Sequence, residues 1–127
     1  MKRVSDPGER TYFFYNLGCP KNLVDAETAA ARLEAAGWRA AGDPREAGLL
    51  VVTTCAFIRA AEEESIAQIL EVAAAKTDRQ RLAVLGCLVT REGGVLKRLF
   101  PEVDVFLGVS SMGRLPEVLA APPKSGP

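Results

Sequence analysis

The chain has 127 residues, enough for one domain that buries roughly two-thirds of its unfolded surface. Its 16 lysines and arginines balance its 16 aspartates and glutamates, so no net charge argues for a nucleic-acid or membrane partner. Histidine is absent, which excludes a Ser-His-Asp triad, a Cys-His nucleophile pair and any histidine-containing zinc site within these residues.

Residues 1–10 are polar and lack the apolar core of a signal peptide, so a disordered lead-in is expected there. No apolar run reaches the ~20 residues of a membrane span. Residues 11–18 (TYFFYNLG) are β-rich and aromatic and predict a first strand ending at Gly18-Cys19. Asn22 is a candidate N-cap, with Asp25 and Glu27 in the first turn, where carboxylates suit the helix dipole. Leu23, Ala26, Ala30 and Leu33 mark the apolar face of that helix, and Gly37 supplies its stop. A short strand is expected at Trp38–Ala41, followed by a turn at Asp43-Pro44.

Residues 49–52 (LLVV) form a continuous apolar run that leads into Thr53, Thr54 and Cys55, the pattern of a central strand buried on both faces. The next helix is expected to turn Ile58, Ile66, Ile69, Leu70 and Ala73 inward. Glu62, Glu63 and Glu64 near its start read as a solvated face. Residues 82–86 (LAVLG) repeat the buried-strand pattern and end at Cys87. Arg91–Leu99 predicts a helix, although Gly93-Gly94 works against it. Val103–Gly108 predicts a fifth strand, Gly113–Ala120 a final short helix, and residues 121–127 a linker or chain end.

Strand and helix alternate throughout, which indicates an α/β fold over residues 11–120. The expected form is a three-layer sandwich with a mainly parallel five-stranded sheet, flavodoxin- or Rossmann-like. The strand order 2-1-3-4-5 would set strands 1, 3 and 4 side by side, their ends spanning about 10 Å, or two inter-strand spacings.

Cys19, Cys55 and Cys87 are the only cysteines, and each sits where a strand pattern gives way to a helical one. Their separations approach the roughly 30 residues of a strand, crossover helix and returning strand. All three therefore belong on one rim, outside the carboxyl ends of the strands, where open α/β sheets bind ligands. Thiolates hold iron–sulfur clusters, and helix N-termini with turn amides favour thiolates. Gly18 and Gly86 would let backbone approach a bulky inorganic core. Three ligands on a four-iron cubane leave one iron open. Spacing alone leaves two other readings standing: three small core residues beside turn glycines, or zinc completed by a carboxylate or water. No GxGxxG or Walker A pattern supports a nucleotide site. An odd cysteine count without a secretory signal fits a reducing cytoplasm.

Residues 17–27 (LGCPKNLVDAE) closely resemble the opening motif of the methylthiotransferases, in the branch acting on an aspartate of a ribosomal protein. Residues 54–58 (TCAFI) are similar to that branch's second cysteine motif. Residues 64–66 (ESI), 86–88 (GCL) and 101–104 (PEVD) with Gly108 fall in matching order. Branches acting on transfer RNA continue differently after the first cysteine, whereas Pro20-Lys21-Asn22 matches the ribosomal-protein branch. The resemblance covers about residues 12–119 and departs from the family at Thr53, Ala26 and Val89–Glu92.

That resemblance implies a domain whose Cys19, Cys55 and Cys87 ligate an auxiliary [4Fe–4S] cluster for sulfur delivery, with Gly18, Asn22, Asp25, Glu27, Thr54 and Gly86 as supporting residues. It also implies a radical S-adenosylmethionine domain with a second [4Fe–4S] cluster, and a small-subunit ribosomal protein as substrate. These residues hold no CxxxCxxC motif, so the radical step is expected elsewhere, and neither membrane nor direct nucleic-acid binding is expected of this domain. A transfer RNA methylthiotransferase is the alternative within the family. A metal-free flavodoxin-like binding module is the alternative outside it.

Overall fold

Helices cover both faces of a sheet whose middle strands are buried along nearly their whole length, and that arrangement decides the architecture. The computed structural model describes residues 10–15, 20–55 and 59–120. In chain order its elements are β1 (Thr11–Tyr15), α1 (Pro20–Ala35), β2 (Arg39–Ala40), β3 (Leu49–Thr54), α2 (Arg59–Ala75), β4 (Arg81–Gly86), α3 (Cys87–Leu99), β5 (Val105–Leu107) and α4 (Leu115–Ala120). The strand order is β2-β1-β3-β4-β5, as expected, and every neighbouring pair is parallel.

Side chains alternate between the two faces with the period of two that a strand imposes. Tyr12, Leu49, Val51, Ala83 and Leu85 meet Ala29 and Leu33 of α1 and Leu115 and Leu119 of α4. Leu50, Val52, Leu82 and Val84 meet Ile69 and Val72 of α2 and Leu88, Leu96 and Phe100 at α3. The aromatic residues of β1 divide likewise, Tyr12 edge-on to Phe14 on one face and Phe13 edge-on to Tyr15 on the other. All six residues of β3 are buried. From β1 the chain runs outward to β2, then returns past β1 to β3, so α1 and α2 lie on opposite faces. This reversal between β1 and β3 is the topological switch point, the place where open α/β sheets bind ligands at the carboxyl ends of their strands.

Several local expectations need correction. α1 starts at Pro20, a favourable first helical residue because its missing N–H would be unpaired there anyway. Asn22 therefore lies inside the first turn and is not the N-cap. Asp25 and Glu27 fall beyond that turn, which holds no acidic residue. The side chains of Asn22, Leu23 and Asp25 lie outside the described residues. Ala26 and Leu33 are buried and Ala30 packs against the core as expected, while Ala29 beside it is fully enclosed. The stop at Gly37 holds: with φ at +99°, it lets Trp38 N–H donate to Leu33 O (2.9 Å) and its own N–H to Glu34 O (3.1 Å), closing the helix end.

Leu70 was expected inward but is 56% exposed. The buried face of α2 follows Ser65, Ile69 and Val72, and Leu70 sits about 100° around the helix from Ile69. Ile66 and Ala73 pack against the core as expected, while Ile58 lies outside the described residues. α3 begins at Cys87, four residues before the expected Arg91, and Glu92 interrupts it with φ −124° and ψ 29°, next to the glycine pair that weakened the helical pattern. β5 is shorter than expected because Asp104 bonds to β4 at its start, donating its N–H to Leu82 O and accepting Leu82 N–H on Oδ2, both at 2.8 Å. A 3-10 turn over Val109–Arg114 precedes α4, so the final helix starts later than Gly113. Arg10 joins the fold, its carbonyl accepting Arg39 N–H and its guanidinium donating to Ala36 O. Residues 1–9 and 121–127, the bulk of the expected lead-in and tail, lie outside the described residues.

The Tyr12 hydroxyl donates to Glu34 Oε2. Burial, then the Glu34 carboxylate, push the phenol up to about 12 from the ordinary 10.0. A raised folded-state value means that the protonated phenol adds stability fully below pH 10 and loses it as pH climbs through about 12. The expected outcome is a fall in unfolding free energy across that window, measured by urea melts, that is absent in Tyr12→Phe. Parallel pH curves for the two proteins would contradict it.

Candidate metal centre

The β3–β4 ladder ends with Thr54 paired to Gly86, and the next residue on each strand is a cysteine. Neighbouring strands lie about 4.8 Å apart, so Cys55 and Cys87 leave the sheet side by side. Cys55 is buried and Cys87 partly exposed, and both are free thiols. Cys87 is the first residue of α3, a terminus where backbone N–H groups carry partial positive charge. Cys19 directly precedes α1 in the connection from β1, the strand on the other side of β3. Cys19 and Gly18 lie outside the described residues.

The passage from β4 into α3 has no loop residue, and Gly86 makes it possible. Its φ of +115° and ψ of −161° lie in a region essentially reserved for glycine. A β-carbon there would stand 2.6 Å from Thr54 O and 2.9 Å from Thr54 Oγ1. Gly86 has no side chain to cap the helix it begins, and the neighbouring strand supplies the cap. Thr54 Oγ1 accepts Leu88 N–H (3.2 Å) and donates to Leu85 O (2.8 Å). Across the other flank, Thr90 Oγ1 accepts Val109 N–H at 2.9 Å and donates to Gly86 O at 3.4 Å. The Glu62–Arg91 ion pair at 2.6 Å ties α2 to α3 beside this rim, while Glu63 and Glu64 stay exposed as a solvated face.

Ser65 is fully buried, and its hydroxyl accepts Cys55 N–H at 2.9 Å and donates to Cys55 O at 3.1 Å. Sequence reasoning placed Ser65 only inside a matching tripeptide and assigned it no role. One signal was available: a serine on the inward face of an apolar helix, four residues before Ile69, needs a buried partner. Thr54 was singled out, and its hydroxyl proves to be a cap between strands. Glu27 is exposed on α1.

The donor set suits a thiophilic metal. Among the described residues no three cysteine, aspartate or glutamate side chains converge, so no carboxylate completes a site around Cys55 and Cys87 there. The remaining thiol of the chain belongs to Cys19, on the adjacent strand's connection.

Residues 11–108 match the family described as "Uncharacterized protein family UPF0004". The chain belongs to this family. The ribosomal protein uS12 methylthiotransferase RimO of Carboxydothermus hydrogenoformans is 44% identical over 109 residues, covering 86% of this chain and 25% of that protein. The protein of the same name from Syntrophus aciditrophicus is 45% identical over 113 residues, 87% of this chain and 25% of its own length. That from Geobacter sulfurreducens is 45% identical over 106 residues, covering 82% and 24% respectively. The chain thus spans about a quarter of the length of these curated relatives. The UPF0004 match includes all three cysteines, the Thr54–Gly86 pair and Ser65.

Gly86→Ala is expected to destabilise this UPF0004 domain by roughly 1–3 kcal/mol from backbone strain, with the contact against Thr54 added. Chemical denaturation measures it. A loss below about 0.5 kcal/mol, the range of neutral surface changes, would show that the junction relaxes without strain.

Proposed function

We propose that this domain binds an auxiliary [4Fe–4S] cluster through Cys19, Cys55 and Cys87. On this reading it serves an enzyme that methylthiolates the β-carbon of an aspartate in a small-subunit ribosomal protein. The observation that carries the reading is the parallel register ending at Thr54 and Gly86, from which Cys55 and Cys87 emerge together. The printed name of the relatives, ribosomal protein uS12 methylthiotransferase, supports the substrate class. When bound, the cluster supplies an iron without a protein ligand, open to a sulfur donor.

The domain's own residues hold and enclose. Cys55 is shielded from water, Thr54 secures the first turn of α3 behind Cys87, and Gly86 lets Thr54 approach as closely as only glycine permits. Gly18, Asn22, Asp25 and Glu27 are assigned supporting positions around Cys19. The radical step belongs to a radical S-adenosylmethionine domain outside these residues, carrying its own [4Fe–4S] cluster. These residues alone are therefore expected to be inactive in methylthiolation. A cytoplasmic location follows from the need for reduced thiols and a ribosomal substrate. No helix among the described residues is long and apolar enough to cross a membrane, and the balanced charge supplies no net attraction to nucleic acid.

Anaerobic reconstitution tests the reading. About four irons and four sulfides per chain, with a cubane-type electron paramagnetic resonance signal after reduction, are expected. Cys19→Ala, Cys55→Ala and Cys87→Ala should each lose stable iron. Unchanged iron content in all three variants would overturn the ligand assignment. In the complete enzyme, a methylthio group found on transfer RNA and not on the ribosomal protein would overturn the substrate class.

A further inference from the structure

Cys55 is the first residue beyond the β3–β4 ladder, which ends at Thr54. Past that ladder it has no pair on β4, yet it is 8% exposed. A nearly enclosed N–H and C=O need partners from somewhere. Both come from one atom, the Ser65 hydroxyl, at 2.9 and 3.1 Å. A serine inside a helix often bonds back to its own preceding turn. Ser65 instead reaches to a residue ten positions earlier, from a fully buried place on an apolar face shared with Ile69 and Val72.

We infer that Ser65 is the positioning residue of Cys55. Its hydroxyl bonds both main-chain groups of Cys55, exchanging two hydrogen bonds as a ladder neighbour would. That pins the backbone of Cys55 and so sets the direction in which its thiol leaves the β3–α2 connection. Thr54 performs the corresponding service for the Cys87 turn, so each described cysteine is held by a buried hydroxyl from a different element. The inference rests on the cluster reading for its purpose, but the hold on Cys55 is a property of the chain without metal.

Two readouts separate the inference from that reading. In the metal-free 127-residue chain, alkylation by iodoacetamide, resolved by mass spectrometry, reports each cysteine separately. Ser65→Ala should raise the rate at Cys55 relative to Cys87 roughly tenfold, the factor that follows from losing interactions of ordinary hydrogen-bond strength. Ile69→Val on the same helix face should leave that ratio unchanged, and Ser65→Thr, which keeps the hydroxyl, should stay near wild type. An unchanged ratio in Ser65→Ala, or an equal rise in Ile69→Val, overturns the inference. If Ser65→Ala fails to fold, amide exchange in the wild type decides: Cys55 N–H should be protected like the amides of β3, and free exchange overturns the hold. After reconstitution, Ser65→Ala should shift the electron paramagnetic resonance spectrum of the reduced sample, with Ser65→Thr restoring it. A spectrum unchanged in Ser65→Ala overturns the positioning role. Absence of iron in the wild type counts against the cluster reading alone, because the alkylation ratio still decides for Ser65.

Discussion

The parallel pairing of β3 with β4, continued to its last pair Thr54–Gly86, is the constraint from which the rest of the site follows. It requires both strands to end at the same level, so their next residues emerge at one rim. It also places Thr54 close enough to Gly86 that only glycine fits, at a φ of +115°. Because Gly86 turns the chain directly into α3, Cys87 becomes a helix's first residue and not part of a loop. One steric fact therefore links register, helix start and cysteine position.

Buried polar side chains mark the places where this sheet hands its backbone over to something else. Among the described residues they are Thr53, Thr54, Ser65 and Gln80. At the amino-terminal rim, Gln80 donates from Nε2 to the carbonyls of Pro44 and Ala47, both at 2.8 Å, and accepts Thr77 N–H. At the carboxyl-terminal rim, Thr54 and Ser65 do comparable work beside Cys87 and Cys55. A buried polar group left unpaired costs about 1–3 kcal/mol, so these residues act as fixed joints. The difference between the rims is what the joints hold: connections at one end, thiols at the other.

The distribution of the candidate ligands also has a physical logic. Three cysteines on one flexible segment would collapse onto one another in many ways. In this chain they belong to the connections from three adjacent strands. The two described ones are tied to separate elements, Cys55 to α2 through Ser65 and the Cys87 turn to β3 through Thr54, which keeps their relative placement steady. At the switch point between β1 and β3 the chain leaves toward opposite faces of the sheet, the place where open α/β sheets bind ligands. The fold alone would not name a function. The family match and the paired cysteine positions, taken together, narrow it.

Much of this architecture was legible in the chain because apolar runs of 49–52 and 82–86 have no polar interruption. Such strands must be covered on both faces, which points to alternating helices and a parallel sheet, for which order 2-1-3-4-5 is one of the common windings. Legibility stopped where local patterns competed. Asn22 reads as a cap because asparagine often is one, but Pro20 starts the helix two residues sooner. Leu70 reads as core because it is apolar, although the helical period directs Ser65, Ile69 and Val72 inward. The cysteines of the candidate site were visible as residue types at repeated junctions. Their gathering on one rim was expected from the strand order as well. The shared level at which Cys55 and Cys87 leave the sheet was not, since pairing register is a relation between strands about 30 residues apart. Composition and pattern thus determined the fold class, the three thiols and the glycines that free the turns. Only the tertiary structure decided that Thr54 caps α3 and that Ser65 grips Cys55, because a hydroxyl's partner depends on which backbone the packed sheet and helices leave unpaired beside it.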